Sequence, residues 1–191
     1  MQYSITHRQV TGWMPWQKDK VMKNIPVLCF VGASNSGKTT LIEKVIRALT
    51  ARGYQVATVK HTHKAFMIDA EGKDSWRHRA AGAKTVILSS SAQFAVLSGT
   101  KEELTIEDIL QRFADDADLL IVEGFKRDAY SKIEVYRKGV SKELLCLSDP
   151  SVIALVSDDA TLLRPSSPAI PILDINDAEG ISNLIEKRFL L

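Results

Sequence analysis

Nowhere in the 191-residue sequence does an apolar run approach the ~18–20 residues of a membrane-spanning helix, and the N-terminus lacks the apolar core of a secretion signal. The expectation is a cytoplasmic chain that does not enter the membrane. Cysteine is also scarce. Cys29 falls inside an apolar strand pattern and Cys146 inside the run LLCL, so both read as small buried hydrophobes rather than a disulfide or a metal pair. That suits a reducing compartment. An excess of one charge is missing too: 25 Lys and Arg stand against 23 Asp and Glu. Such a balance gives none of the basic field that nucleic-acid binding needs. With no internal repeat or low-complexity block, the length fits one domain with a sizeable core.

What is present is concentrated in Pro26 to Arg52, where an apolar run, a glycine-bounded loop and an amphipathic segment follow without a break. Val27 to Val31 reads as a buried strand. Gly32, Gly37, Lys38 and Thr39 fit G-x-x-x-x-G-K-[ST], and Lys38 to Arg52 carries Leu41, Val45 and Leu49 on one helical stripe. Two glycines let the backbone turn so that the N–H groups of Ala33, Ser34, Asn35, Ser36, Gly37, Lys38, Thr39 and Thr40 can face a phosphate. The helix adds its positive end, Lys38 can reach the β/γ oxygens, and the Thr39 hydroxyl can coordinate Mg²⁺. The motif predicts a nucleoside triphosphate without naming the base. Partitioning-type ATPases that share this loop carry a second lysine after the first glycine; Ala33 stands there and disfavours that branch.

Residues 1–24 are polar, hold Trp13 and Trp16 around Pro15, and show no sustained periodicity. They read as a leader, either disordered or a partner-docking arm, ahead of a domain at 25–191. After a second strand, Gln55 to Lys60, comes the polar stretch Lys60 to Ala83, at the sheet edge where open α/β folds bind ligands. His61 and His63 could ligate a metal, although a solvated or phosphate-facing pair is favoured over that. Asp69 could reach Mg²⁺ through water or simply be solvated. Asp74 or Ser75 is expected to cap a short helix, and Lys73, Arg77 and Arg79 form a basic cluster that could hold a second anion. Thr85 to Ser89 and Phe94 to Ser98 read as a hairpin that extends the sheet's edge and offers a place for self-association. Thr105 caps a helix over Ile106 to Phe113, with Asp108 completing a capping box.

The run Asp118-Leu-Leu-Ile-Val-Glu123-Gly124 is an apolar strand that delivers an acid and then a glycine at its carboxyl end. That is the form of a Walker B element. Glu123 can contact the metal, hold its water shell or activate water, and these alternatives stay open. Lys132 to Arg137, Val152 to Val156 and Ile170 to Leu173 read as further strands, and Asp177 caps a last helix through Phe189. Asp158, just past one of these strands, stands where guanine-specific P-loop proteins present an aspartate to the base; an ordinary polar loop is the alternative, and no Asn-Lys-x-Asp motif occurs. The fold class expected is α/β, a doubly wound, mostly parallel sheet of the P-loop NTPase type with a β-hairpin extension.

Four segments in this order, GASNSGKTTL at Gly32 to Leu41, VKHTHK at Val59 to Lys64, GKDSWRHRAAGA at Gly72 to Ala83 and VEGFK at Val122 to Lys126, resemble the molybdopterin-guanine dinucleotide biosynthesis protein B family. The resemblance covers Ile25 to Leu191. It implies GTP binding with Mg²⁺, slow GTPase activity in a protein that acts mainly by binding, and a homodimer. It further implies assistance to a guanylyltransferase that joins GMP to molybdopterin. Lys38 and Glu123 would be the catalytic pair, Thr39, Glu123 and Asp69 the metal's neighbours. Two other classes share the loop: a small-molecule kinase, to which Lys73, Arg77 and Arg79 could supply part of a lid, and a metal-insertion GTPase, encouraged only by the two histidines.

Overall fold

The computed structural model describes residues 24–62, 64–114, 116–159, 161 and 170–191. The leader lies outside them save for Asn24, as does His63. The elements run β1 (Val27–Val31), α1 (Lys38–Ala51), β2 (Val56–Lys60), α2 (Asp74–Ala80), β3 (Thr85–Ser89), β4 (Phe94–Ser98), α3 (Ile106–Phe113), β5 (Leu119–Glu123), β6 (Ser131–Tyr136), a 3-10 turn (Leu145–Leu147), β7 (Val152–Ser157), β8 (Ile172–Asp174) and α4 (Ala178–Phe189).

The sheet has six strands in the order β2-β5-β1-β6-β7-β8, every pair parallel. All five residues of β1 are buried, as a strand covered on both faces requires. Alternation sorts the residues between two cores. Leu28 and Phe30 of β1 join Leu119, Ile121, Ile133, Val135, Ala154 and Val156 under Leu41, Val45 and Leu49 of α1 and Ile181 and Ile185 of α4. Cys29 and Val31 face the other way, with Leu120 and Val122, under Ile106 of α3. Helices on both faces make the sheet doubly wound, as expected.

The helix ends follow local chemistry. The Thr105 hydroxyl accepts from the Asp108 N–H and the Asp108 carboxylate accepts from the Thr105 N–H, a complete capping box. Asp177 caps α4 by accepting from the Gly180 N–H at 2.8 Å. At α2 the expectation fails: Lys73 is the capping residue and contributes no side-chain bond, while Ser75 donates to Asp69 instead. At its carboxyl end, α1 is tied to α4. Arg52 donates to Glu186 at 2.8 Å and pairs with Glu179, and the Tyr54 hydroxyl donates to the other Glu186 oxygen at 2.8 Å.

Three further differences have physical causes. The hairpin does not extend the main sheet; β3 and β4 pair through all five positions as a separate two-stranded ribbon, with α2 packed against β3. A ribbon meets half its backbone needs internally, so strand patterning cannot tell where it docks. β8 begins only after Pro171, which has no N–H for the ladder although its carbonyl accepts from Leu155. β6 proves central, so Lys132 and Glu134 are only 1% and 2% exposed. The Lys132 ammonium is met by Asp149 at 3.1 Å, the Ser151 hydroxyl and the Asp128 carbonyl.

Removing that ammonium strands a partly buried carboxylate and a carbonyl. Lys132→Met, which retains the stem's volume, should therefore lower unfolding free energy by about 2–3 kcal/mol in a denaturant titration, reduced from the fully buried case because Asp149 keeps some contact with solvent. A loss below about 0.5 kcal/mol, the scale of an ordinary surface change, would show that the buried cation does not hold this face together.

Candidate nucleotide site

The glycine loop is built by left-handed residues. Gly32, Asn35 and Gly37 have φ of 141°, 63° and 96°, and their alternation with ordinary residues turns successive N–H groups toward one concavity. Gly32 is irreplaceable for a second reason: a Cβ there would sit 2.3 Å from the Val135 carbonyl oxygen of β6. The loop thus passes directly over the carboxyl end of the neighbouring strand. Ser36 is fully buried and its hydroxyl has no partner among the described residues, an unmet polar atom in the loop itself. Ser34, Asn35, Thr39 and Thr40 are exposed at the loop and first helical turn, where N–H groups lack intrahelical acceptors.

Lys38 folds over this loop, its ammonium donating to the carbonyls of Ala33 at 2.6 Å and Gly32 at 3.1 Å. Burial pushes its pKa down; the Glu123 carboxylate opposes that and Lys60 adds to it. Thr39 and Glu123, 84 positions apart, are brought together: the hydroxyl donates to both carboxylate oxygens, each at 3.0 Å. Strand pairing achieves this, because β5 lies beside β1 with Phe30 opposite Glu123.

Around Glu123 the sequence reading missed Lys60 and expected something else of His61. Lys60 sits opposite Glu123 in the β2–β5 register and its ammonium is 3.4 Å from the carboxylate. Knowledge of the strand order would have exposed that pair. His61, expected to be solvated or to face phosphate, instead packs its Cβ where a side chain on Gly124 would be, 3.0 Å away, stacks tilted on Phe125 at 4.6 Å and pairs with Glu103. Phe125 is held at φ 50°, so the turn after the acid is conformationally committed.

Other predicted residues lie elsewhere. Asp69 accepts from Ser75 and lies 3.6 Å from Arg79, so its contacts run to α2 rather than to Thr39 or Glu123. Arg77 pairs loosely with Asp74 at 3.7 Å, Arg79 with Asp69, and Lys73 is exposed. Asp158 is at the sheet's ligand edge, but its carboxylate accepts from the Lys138 N–H at 3.1 Å and faces Arg137 at 3.4 Å. Arg137 was missed: its guanidinium reaches to 3.7 Å of where a Cβ on Gly37 would stand, and with Thr40, Lys44 and Asn176 it lines a cavity of about 240 Å³ beside α1.

The donor set at Thr39 and Glu123 is all oxygen and includes a carboxylate, which suits a hard divalent cation such as Mg²⁺. Among the described residues there is no cluster of three His, Cys, Asp or Glu side chains that could hold a metal ion, and no helix long and apolar enough to cross a membrane.

The family described as Molybdopterin guanine dinucleotide synthesis protein B matches residues 27–158. The chain belongs to this family. It is 39% identical over 167 residues to the molybdopterin-guanine dinucleotide biosynthesis adapter protein of Escherichia coli, covering 84% of this chain and 91% of that one. It is 37% identical to the protein of the same name from Haemophilus influenzae, covering 85% and 88%. The crystal structure of a molybdopterin-guanine biosynthesis protein B superposes with a TM-score of 0.66 at 28% identity, covering 84% of this chain and 97% of that one. The matched segment spans β1 to the end of β7, and therefore contains the loop, Lys60, Glu123, Arg137 and Asp158.

The close approach at Gly32 separates two effects of adding a methyl group. Gly32→Ala should cost on the order of 3 kcal/mol, from the clash with a backbone oxygen plus the left-handed φ. Gly53→Ala, at φ 93° with no atom within 4 Å of its Cβ, should cost about 1 kcal/mol from conformation alone. Equal shifts of the two thermal midpoints would sink the account of the loop resting on β6.

Proposed function

We propose that this protein is a GTP·Mg²⁺-binding adapter of molybdopterin-guanine dinucleotide biosynthesis, with slow GTPase activity, working in the cytoplasm beside a guanylyltransferase that attaches GMP to molybdopterin. The single observation that carries the nucleotide reading is the Thr39 hydroxyl shared between both oxygens of Glu123, above a left-handed loop crossed by Lys38. Family membership supports the adapter role.

In this reading the N–H groups from Ala33 to Thr40 bind the phosphates and Lys38 neutralises the β/γ oxygens. Thr39 and Glu123 would hold Mg²⁺, which, when bound, screens the triphosphate's charge during attack by water. Glu123 also orients that water, while the Lys60 ammonium, 3.4 Å away, holds the carboxylate in place. Guanine is assigned to the side of Asp158, through the family resemblance. Arg137 stands between that carboxylate and Gly37, so base and phosphate would be sensed by one ion pair. Asp69, held by Ser75 and Arg79, is at most an outer neighbour of the metal.

The partner-facing surface is assigned to Lys60–Arg79. Its exposed tip, Phe66, Met67 and Ile68, at 68%, 73% and 71% exposure, is apolar in a segment otherwise rich in charge, and Lys73 and Arg77 extend it. The hairpin supplies a second exposed stripe, Ile87, Phe94 and Val96 on one face, which fits a homodimer whose mass light scattering would reveal.

Lys38→Ala should weaken GTP binding by about 2–4 kcal/mol while leaving the fold intact. Because burial depresses the lysine's pKa and phosphate favours its charged form, affinity of the parent should fall with rising pH before the ordinary lysine range is reached, and the variant should not show this decline. Glu123→Gln should slow Mg²⁺-dependent release of labelled γ-phosphate more than it weakens binding. Parental GTP affinity in Lys38→Ala would end the nucleotide reading, and label recovered on an acceptor rather than as free phosphate would make the protein a kinase.

For the partner surface, Lys73→Ala with Arg77→Ala should impair reconstituted dinucleotide-cofactor formation severalfold with GTP affinity within about twofold, since neither side chain touches the loop. Undiminished cofactor formation would return this segment to an ordinary solvated surface.

A further inference from the structure

Past the loop's first two residues, on the side of the sheet away from α1, lies a cavity of about 430 Å³, in the range of small-molecule sites. Its wall contains Gly32 and Ala33 of the loop and Lys126 just after the Glu123 turn. Glu134 of β6 and, from the segment that follows it, Val140, Ser141, Lys142, Glu143 and Leu145 complete it. None of these wall residues belongs to the phosphate nest proper except the loop's opening pair, whose carbonyls are turned to Lys38.

Two features make this more than a surface dent. The first is charge without a partner. Lys38, Lys60 and Lys138, around the same edge of the sheet, are each engaged by an oxygen. Lys126 and Lys142, the two that line the cavity, have no hydrogen bond or ion pair among the described residues. The second is a braced floor. Glu134, 2% exposed, accepts the N–H groups of Leu145 and Cys146 at 2.7 and 2.8 Å, fixing the 3-10 turn that carries Leu145 into the wall. The Glu134 carboxylate is thereby directed at backbone donors, and Glu143, the other acid of the lining, is exposed to solvent. The Ser141 hydroxyl oxygen accepts from the Arg137 N–H, leaving its own proton to donate.

We propose that this cavity binds an organic phosphomonoester: the dianionic phosphate meets Lys126, Lys142 and the Ser141 hydroxyl, and a ring lies against Val140 and Leu145. Two unpaired ammonium groups match a dianion better than a carboxylate, and the apolar wall gives no reason for a bare inorganic ion to prefer the site. The inference rests on the nucleotide reading in one respect: the triphosphate occupies the adjoining loop, so the two ligands lie side by side.

The test uses the full chain saturated with Mg²⁺ and a β,γ-imido analogue of GTP, so that the loop cannot take the probe's phosphate. Calorimetric titration with 1-naphthyl phosphate should show saturable binding. Inorganic phosphate and 1-naphthoate should each bind about tenfold more weakly, the scale of one lost contact. Lys126→Ala with Lys142→Ala should lose at least about tenfold for naphthyl phosphate while the GTP analogue's affinity stays within about twofold. Parental naphthyl phosphate affinity in the double variant, or no saturable binding to the loaded chain, overturns the proposal. Inorganic phosphate binding as tightly as the aryl ester overturns the organic class of ligand. Failure of the GTP analogue itself to bind would instead count against the nucleotide reading, and the same titrations on the Lys38→Ala chain would then decide the cavity on its own.

Discussion

The pairing of β1 with β5 is the constraint on which the other arrangements depend, because it makes two stretches separated by most of the domain end at the same place. Phe30 lies opposite Glu123, so the strand that enters the loop and the strand that delivers the acid finish in register. Thr39 can then donate to both carboxylate oxygens, and Lys60, ending β2 on the far side of β5, can close on the same carboxylate. A slip of one residue in a parallel strand would turn Glu123 toward the opposite face and exchange its buried neighbours for polar ones. The two apolar cores prevent that slip: Leu119 and Ile121 are committed to one face, Leu120 and Val122 to the other.

The other neighbour of β1 explains why the loop is as tight as it is. β6 brings the Val135 carbonyl against Gly32, so the left-handed φ and the missing side chain answer a neighbour in space rather than a local turn requirement alone. The same strand carries Lys132 and Glu134 into the interior. Their partners, Asp149 and the N–H groups of Leu145 and Cys146, all belong to the segment between β6 and β7, so the two buried charges moor that segment onto the sheet. Pairing and backbone donation are what make such burial tolerable.

What could be read from the sequence follows from how locally each feature is determined. The loop, the capping box at Thr105 and Asp108, the cap at Asp177 and the apolar strands are set by residues within a few positions of one another, and each appears where the spacing put it. Glu123 was legible because an acid after an apolar strand has few other uses once a phosphate loop is present. Lys60 was not, since its relation to Glu123 depends on strand order. The burial of Lys132 and Glu134 was not legible either, because strand alternation along β6 does not tell that the segment between β6 and β7 folds back over these two charges. Asp158 was placed at the correct edge, yet its contact with Arg137 joins two strand ends whose adjacency periodicity does not encode.

The two faces of the sheet are held by different means, and the difference bears on where change can be transmitted. On one face α1 and α4 share an apolar core and are cross-linked at the surface by Arg52 and Tyr54 on Glu179 and Glu186, so the helix that follows the loop is fixed along its length. On the other face α3 provides the only long helix among the described residues, and the remaining cover is the turn after Glu123 and the segment after β6. Gly124 and Phe125 there are both at positive φ, with His61 packed against them and paired to Glu103 in the connection from β4 to α3. Displacement of Glu123 would therefore strain that histidine contact and the chain leading back to the hairpin, together with its hydrogen bonds to Thr39 at the start of α1, whose far end is anchored to α4. The fold thus sets a phosphate-binding helix braced by α4 against a second face whose smaller apolar core gives way, beside the acid, to the contacts of His61 with Phe125 and Glu103.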